Sequence, residues 1–258
     1  MSNLAKAIEQ GHYARKQLFC RDPIVAWSHA SRFRLARRLV APYAGDILLD
    51  YGCGDGTFLA MVHDLFPRMV GVDDAGQAAD CRSRFGAVPG LSFETVKDLK
   101  DRSHDGAYGV LTCMEVLEHC VEDVAENVLA DLRRLVARRG TVIISVPIEI
   151  GPALLGKQMV RTLAGWRELG DYKYRETYTA RELFRMVFAD PRAAIRRPVY
   201  EAQGASGPRH FHGHKGFNWR ALRLKLERSF EVRETQFSPL GWLGGCLNSQ
   251  AWFVCAPK

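Results

Sequence analysis

One stretch governs what this chain can fold into. Residues 46–56 read Asp-Ile-Leu-Leu-Asp-Tyr-Gly-Cys-Gly-Asp-Gly, and Thr57-Phe-Leu-Ala-Met-Val62 follows. An apolar run ends in an acid, Asp50, and breaks into glycines at alternate positions, Gly52, Gly54 and Gly56. Glycine carries no Cβ and enters positive φ at little cost, so the chain can turn sharply and let a ligand rest against backbone. A helix that opens directly after such a turn aims its free N–H groups at the same place. The unit is strand, glycine turn, helix, and such units build open α/β sheets.

The spacing narrows the ligand. Dinucleotide-binding turns follow G-x-G-x-x-G and seat a pyrophosphate on the helix N-terminus. Here the third glycine comes one residue early, and Asp50 and Asp55 would repel a pyrophosphate. Acids at these places suit a ligand that carries positive charge.

Strand and helix signals alternate through the rest of the first half, as a parallel sheet requires. Strands are expected at Ile47–Asp50, Met69–Asp73, Leu91–Val96, Ala107–Cys113 and Thr141–Val146. The last is a continuous β-branched run, the pattern of a strand buried on both faces. Helices are expected at Thr57–Phe66, closed by Pro67, and at Gln77–Phe85. A third, over 121–136, carries an apolar stripe at helical spacing and is expected to end at Gly140. Residues 1–44 form an N-terminal helical cap, with helices over Leu4–Phe19 and Ser31–Val40. Residues 45–258 form the main domain.

Within that domain the alternation breaks over 148–214. Short helical candidates and polar loops replace it, among them a helix near Arg181–Phe188 with Thr179 and Glu182 spaced as a capping box. Regular elements return with a helix at Trp219–Arg228 capped by Asn218, then strands Phe230–Phe237 and Gln250–Cys255. Ligands of open α/β sheets bind beyond the carboxyl ends of the strands. An insertion leaving the fifth strand therefore sits over the site, as a substrate lid or as a structural subdomain.

Charge is divided between the halves. Residues 1–150 hold 18 Lys and Arg against 20 Asp and Glu, whereas residues 151–258 hold 18 against 9. The basic half could face an anionic partner or simply be solvated. The seven cysteines are scattered, with no C-x-x-C, which suggests reduced thiols in a cytoplasmic protein. The N-terminus is polar, without a signal-peptide core, and no apolar run is long enough to span a membrane.

Four segments together resemble the class I S-adenosylmethionine-dependent methyltransferases. They are Leu48–Gly56, Gly71-Val-Asp73, Thr112-Cys-Met-Glu-Val-Leu-Glu-His119 and Gly140-Thr-Val-Ile-Ile-Ser-Val-Pro147. Within the class the branch of the ubiquinone-biosynthesis O-methyltransferases is most similar. The resemblance implies an α/β fold: a Rossmann-like, seven-stranded, mostly parallel sheet with helices on both faces, N-terminal helices and a lid insertion. It implies S-adenosylmethionine as cofactor. Asp50, Gly52, Cys53, Gly54 and Gly56 would lie along its methionine and ribose. Asp73 would accept from both ribose hydroxyls, with Asp74 as the alternative. Asp98 would reach the adenine, although Thr95-Val-Lys-Asp98 departs from the family's usual Gly-Asp. Met114 and Glu115 would line the cleft, and Arg32 or Arg34 could pair with the methionine carboxylate.

The acceptor side rests on histidines. His119, just after the fourth strand, is placed to take a proton from an acceptor hydroxyl, or else it orders a loop. Arg209-His-Phe-His-Gly-His-Lys215 brings His210, His212 and His214 to alternate positions. His210 and His214 are candidate base-supplying residues of a lid loop. Gly213 and Gly216 weigh against a strand-borne metal site, so no metal is expected. Tyr172, Tyr174 and Tyr178, with Lys173 and Arg175, form an aromatic–basic patch suited to an aromatic, saccharide or anionic acceptor. The expected reaction is methyl transfer to a hydroxyl of a small metabolite or saccharide. The other readings are a nucleic-acid methyltransferase using the basic half, disfavoured because no Asn-Pro-Pro-Tyr-type motif follows the fourth strand, and a non-catalytic cofactor-binding module.

Overall fold

The structure is a computed structural model, and it describes residues 3–19, 23–166, 177–204 and 207–258. The chain opens with α1 (Asn3–Gln10) and α2 (Pro23–Val40). Then come β1 (Ile47–Tyr51), α3 (Thr57–Met61), β2 (Arg68–Asp73), α4 (Ala75–Phe85), β3 (Leu91–Thr95), β4 (Tyr108–Met114), α5 (Glu122–Leu135) and β5 (Val136–Pro147). The insertion carries α6 (Ala153–Trp166), α7 (Ala180–Val187) and a hairpin of β6 (Val199–Gly204) and β7 (Gly207–His212). The chain closes with α8 (Trp219–Ser229), β8 (Phe230–Ser238) and β9 (Gln250–Pro257).

Seven strands form one sheet in the order β3-β2-β1-β4-β5-β9-β8. All are parallel to β1 except β9, which runs antiparallel to both β5 and β8. The expected mostly parallel, Rossmann-like sheet is present. Side chains alternate between its faces, as strand geometry dictates. Leu49, Val70, Leu111 and Ile144 join a core with α5 and α8, while Leu48, Met69, Val110 and Ile143 join another with α2, α3 and α4. Helices therefore cover both faces, which is why these strands read as unbroken apolar runs. The strand order reverses between β1 and β4, and a crevice opens beyond the carboxyl ends of those two strands.

Three local expectations differ from what forms. The helix over 121–136 does not run to Gly140; α5 stops at Leu135 and β5 begins at once. Gly140 lies inside β5, where an added Cβ would meet the Gly109 carbonyl at 2.8 Å. Its role is close backbone approach, not helix capping. The expected helix over Leu4–Phe19 is interrupted at Gly11, and a second short helical turn covers Ala14–Leu18. The insertion holds the β6–β7 hairpin, which a reading of loops and helices overlooked. The capping box is present as expected: Thr179 Oγ1 accepts from Glu182 N, and Glu182 reaches back to Thr179 N. Asn218 likewise caps α8.

Among the described residues no helix is long and apolar enough to cross a membrane. The six described cysteines are all free thiols. Tyr172, Lys173, Tyr174 and Arg175 of the expected patch lie outside the described residues.

Candidate functional site

The glycine turn leaves β1 with φ of +77° at Gly52, +53° at Gly54 and +73° at Gly56. Gly52 N and Cys53 N both donate to Val72 O, which ties the turn to β2. A Cβ on Gly52 would sit 2.3 Å from Val116 Cγ2, whereas one on Gly54 would meet nothing within 4 Å. The turn is thus packed on one side and open to the crevice on the other.

A cleft of about 190 Å³ occupies that crevice. Asp50, Gly52, Cys53, Gly54, Met114 and Glu115 line its sheet side, with Tyr13, Arg32 and Phe33 opposite. Asp50 is buried and accepts from Thr112 Oγ1 at 2.6 Å, across the β1–β4 register. Burial pushes its pKa up to about 7 against the pull of that hydrogen bond, with the charge of Asp73 adding to the rise. Asp73 ends β2 and accepts from Gly54 N and Asp74 N, both at 2.8 Å, and burial raises its pKa too. Each oxygen keeps a further lone pair. Asp74 is committed differently: its Oδ1 caps α4 by accepting from Gly76 N and Gln77 N.

Asp98 Oδ2 accepts from Thr95 N and Thr95 Oγ1, so it closes a turn after β3; like Asp73, it lies outside the lining of this cleft. Of the two arginines, Arg34 is exposed and Arg32 lines the cleft. Arg32 Nη1 lies 3.4 Å from Glu115 Oε2 and donates to Tyr13 Oη, while its Nε is buried without a hydrogen-bond partner. Glu115 holds φ +58°, a strained conformation for a non-glycine residue.

Asp55 has a role its position in the motif did not reveal. Its buried Oδ2 accepts from Tyr13 N at 2.9 Å and Ala14 N at 3.1 Å, and Oδ1 accepts from Thr57 N. Gly11 is required beside it, because a Cβ there would fall 2.3 Å from Asp55 Oδ2. Arg84 adds a second clamp, donating to Ala7 O and Asp55 O. The N-terminal segment is a strap pinned across the cleft. Only the acid itself is visible in the sequence; its partners are backbone groups.

Beyond Glu115 the chain turns through Glu118 and His119 under the lid. His119 and His212 exchange contacts: His212 N donates to His119 O at 2.9 Å, and His119 Nδ1 meets His212 O at 2.9 Å. His214 Nε2 then lies 3.3 Å from His119 Nε2. Arg197 fixes the same turn, donating to the carbonyls of Glu118 and Gly213. Glu118 is fully buried, and neither carboxylate oxygen has a hydrogen-bond partner. Burial, then the nearby charge of Glu115, raises its pKa well above the usual carboxylate range. Burial lowers the pKa of His214 to about 4, while Glu149 opposes that shift. Buried Glu149 pairs with Lys157 at 3.0 Å and lies 3.9 Å from His214 Nδ1.

The structure therefore joins His119 and His214 but leaves His210 out. His210 sits on the exposed hairpin, 3.4 Å from Glu201. Strand pairing explains this, because Glu201 is its partner in the β6–β7 register. His214 lies past the end of β7, where the turn carries it inward. Glu118, His119 and His214 could together hold a metal ion, with ligand atoms within 4.8 Å of one another. The sequence reading expected no metal and did not single out Glu118.

Two further hollows are present. One of about 320 Å³ in the lid is lined by Arg185, Arg196, Arg197, Lys215 and Glu182. A larger one, about 560 Å³, lies between α5 and α8 and is lined by Glu126, Arg133, Arg134, Lys225 and Arg228.

Comparison with known proteins gives a consistent picture. A family model described as a methyltransferase domain matches residues 27–196. A curated ubiquinone biosynthesis O-methyltransferase of Albidiferax ferrireducens is 33% identical over 95 residues, which cover 35% of this chain and 37% of that protein. The match thus spans little more than a third of that relative's length. Among solved structures, the PH0226 protein of Pyrococcus horikoshii aligns with TM-score 0.58 at 17% identity, covering 95% of this chain and 98% of that one. Magnesium protoporphyrin IX methyltransferase of Synechocystis, solved with bound SAH, aligns with TM-score 0.54 at 13% identity, covering 99% and 94%. These structural likenesses establish the shared fold.

Proposed function

The chain belongs to the methyltransferase-domain family, and from that premise we propose that it moves a methyl group from S-adenosylmethionine to a hydroxyl of a small metabolite or saccharide. One observation carries the reading. An acid-lined glycine cleft, suited to a cationic ligand, is followed just after Glu115 by buried Glu118 and partly exposed His119, which meet partly exposed His214 of the insertion.

The residues fit the cofactor. Gly54 offers open space where a side chain would otherwise intrude. Asp50 in the cleft would supply a carboxylate for an ammonium, Asp73, bonded to Gly54 N at the cleft's edge, one for ribose hydroxyls, and the unpartnered Arg32 Nε a donor for a carboxylate. When bound, S-adenosylmethionine supplies an electrophilic methyl on a sulfonium. The protein's task is then to align an acceptor oxygen with that methyl and to remove its proton. The Glu118–His119–His214 group is placed for the second task. The strap through Tyr13 and the hairpin through His212 flank the two sides of the site.

The lid hollow lined by Arg185, Arg196 and Lys215 would receive an anionic portion of the acceptor. The same basic half would serve a nucleic-acid acceptor, and salt separates the two. A nucleic-acid complex weakens steeply as salt rises, while a small acceptor's binding changes little.

Calorimetry tests the cofactor assignment. S-adenosylmethionine and S-adenosylhomocysteine should both bind, and NADH should not. Asp73→Ala should lower affinity by about 1–3 kcal/mol, as expected for a lost charged hydrogen-bond partner. Unchanged affinity would pass the ribose role to Asp74. Absence of binding by either sulfur ligand would overturn the enzyme reading in favour of a degenerate module.

A further inference from the structure

We infer that Arg209 is a donor-positioning residue, which closes the adenosine end of the S-adenosylmethionine site by pairing with Asp74. The inference rests on the cofactor reading given above and adds a contact from the insertion to the donor side of the site.

Strand spacing places the residue. In the sheet, β1 lies between β2 and β4. Neighbouring strands are about 4.8 Å apart, so the ends of β2 and β4 are separated by about 9.6 Å. On β7, His212 N donates at 2.9 Å to His119 O in the turn after β4. On the same strand, Arg209 Nη1 lies 3.6 Å from Asp74 Oδ2, just past the end of β2. Three residues of extended strand cover about 10 Å, which matches that separation. β7 therefore crosses the carboxyl edge of the sheet, over the glycine turn that leaves β1.

The carboxylates beneath it divide the work. Asp73 keeps a lone pair on each oxygen after accepting from Gly54 N and Asp74 N. Asp74 uses Oδ1 for the α4 cap, which leaves Oδ2 to Arg209. Burial raises the pKa of Asp73, and the positive charge of Arg209 is among the influences that oppose the rise. A guanidinium beside the ribose carboxylate is within reach of the adenosine, where its flat face can lie against the adenine ring.

The two ends of this crossing are held unequally. At His212 the hold is a main-chain hydrogen bond, and Arg197 reinforces it by donating to the carbonyls of Glu118 and Gly213. At Arg209 it is one ion pair, with both side chains more than half exposed. An exposed pair is weak and is screened by salt. The hairpin accordingly pivots at His212 and lets go at Arg209. That arrangement suits a clasp that must admit the donor and release S-adenosylhomocysteine.

Stopped-flow dissociation of S-adenosylhomocysteine from the full chain tests the clasp. Arg209→Ala should speed dissociation about two- to fivefold, the range of an exposed ion pair, and Arg209→Lys should recover part of the loss. Asp74→Asn keeps an α4 cap while removing the charge, so adding Arg209→Ala to it should have little further effect. Raising salt from about 50 mM to about 500 mM should speed release from the wild type and barely change it in Arg209→Ala. Arg139→Ala, which alters an exposed arginine at the start of β5, should dissociate at the wild-type rate. An unchanged rate in Arg209→Ala, additive effects in the double variant, or equal salt responses of wild type and Arg209→Ala would overturn the clasp and leave the cofactor reading intact. A wild-type chain that binds no S-adenosylhomocysteine would sink the cofactor reading and the clasp with it.

Discussion

Gly52→Ala gives a sharp test of how the glycine turn is held. The residue sits at φ +77°, and its Cβ would lie 2.3 Å from Val116 Cγ2. Left-handed backbone costs an alanine about 1–2 kcal/mol. A carbon–carbon contact so far inside the usual 3.5–4.0 Å forces Val116 aside, an overpacking cost of about 1–3 kcal/mol. Reduced freedom of the unfolded chain returns roughly 0.4–1 kcal/mol. The net loss should be about 2–4 kcal/mol. Val116→Ala alone should cost about 1 kcal/mol, because Val116 is only partly buried. In the double variant the collision is absent, so only the backbone term and the lost valine remain. Its loss should fall short of the summed singles by about 1–3 kcal/mol. Urea unfolding followed by far-UV circular dichroism measures each value, provided the slope stays constant. Additive losses would show that Val116 does not confine the turn, and the steric argument would fail.

Three other perturbations probe neighbouring features. Native Asp50 keeps its proton to about pH 7, whereas its unfolded carboxyl releases it near 3.8, so the native state binds the extra proton in between. Stability of the ligand-free protein should therefore fall as pH rises through that window, by on the order of 4 kcal/mol from this group. Asp50→Asn should flatten the fall, and an unaltered pH slope in urea midpoints would refute the assignment. Gly11→Ala should push the strap off Asp55, so that trypsin cuts faster at Arg15 and S-adenosylhomocysteine binds more weakly; unchanged cleavage would mean the Asp55 clamp does not hold the strap. Thr179→Ala should cost α7 about 1 kcal/mol and speed hydrogen exchange of its amides, and equal exchange would deny the capping box a stabilising role.

The donor half of the molecule was legible because its signals are local. Glycine spacing, the acid that ends each strand and β-branched runs all act within a few residues, and each element expected over 45–147 is present with shifted ends. Gly140 misled because a glycine after a helical stripe reads as a cap, while its real neighbour is Gly109 on the adjacent strand. Asp98 shows a related limit: the local turn it closes through Thr95 is not visible in the sequence. The acceptor half was hardly legible. His119 and His214 meet across 95 positions of chain, and Glu118 is silent until burial strips it of partners. His210 was indistinguishable from His214 in the sequence, since nothing there marks the end of β7. Asp55 shows the same limit, because its partners are the main-chain N–H groups of Tyr13 and Ala14.

The tie between the β6–β7 hairpin and the turn after β4 has a consequence for how such a protein can diverge. His212 N binds His119 O, so this half of the latch is made of main chain alone and survives any non-proline substitution at either residue. Residues facing the hollow, such as Arg185 and Arg196, can then be replaced freely without loosening the hairpin's alignment over the turn. Change in the lining of the hollow and constancy of the turn after β4 are thereby uncoupled in inheritance. A lineage can alter the hollow while the turn beneath the hairpin stays in register.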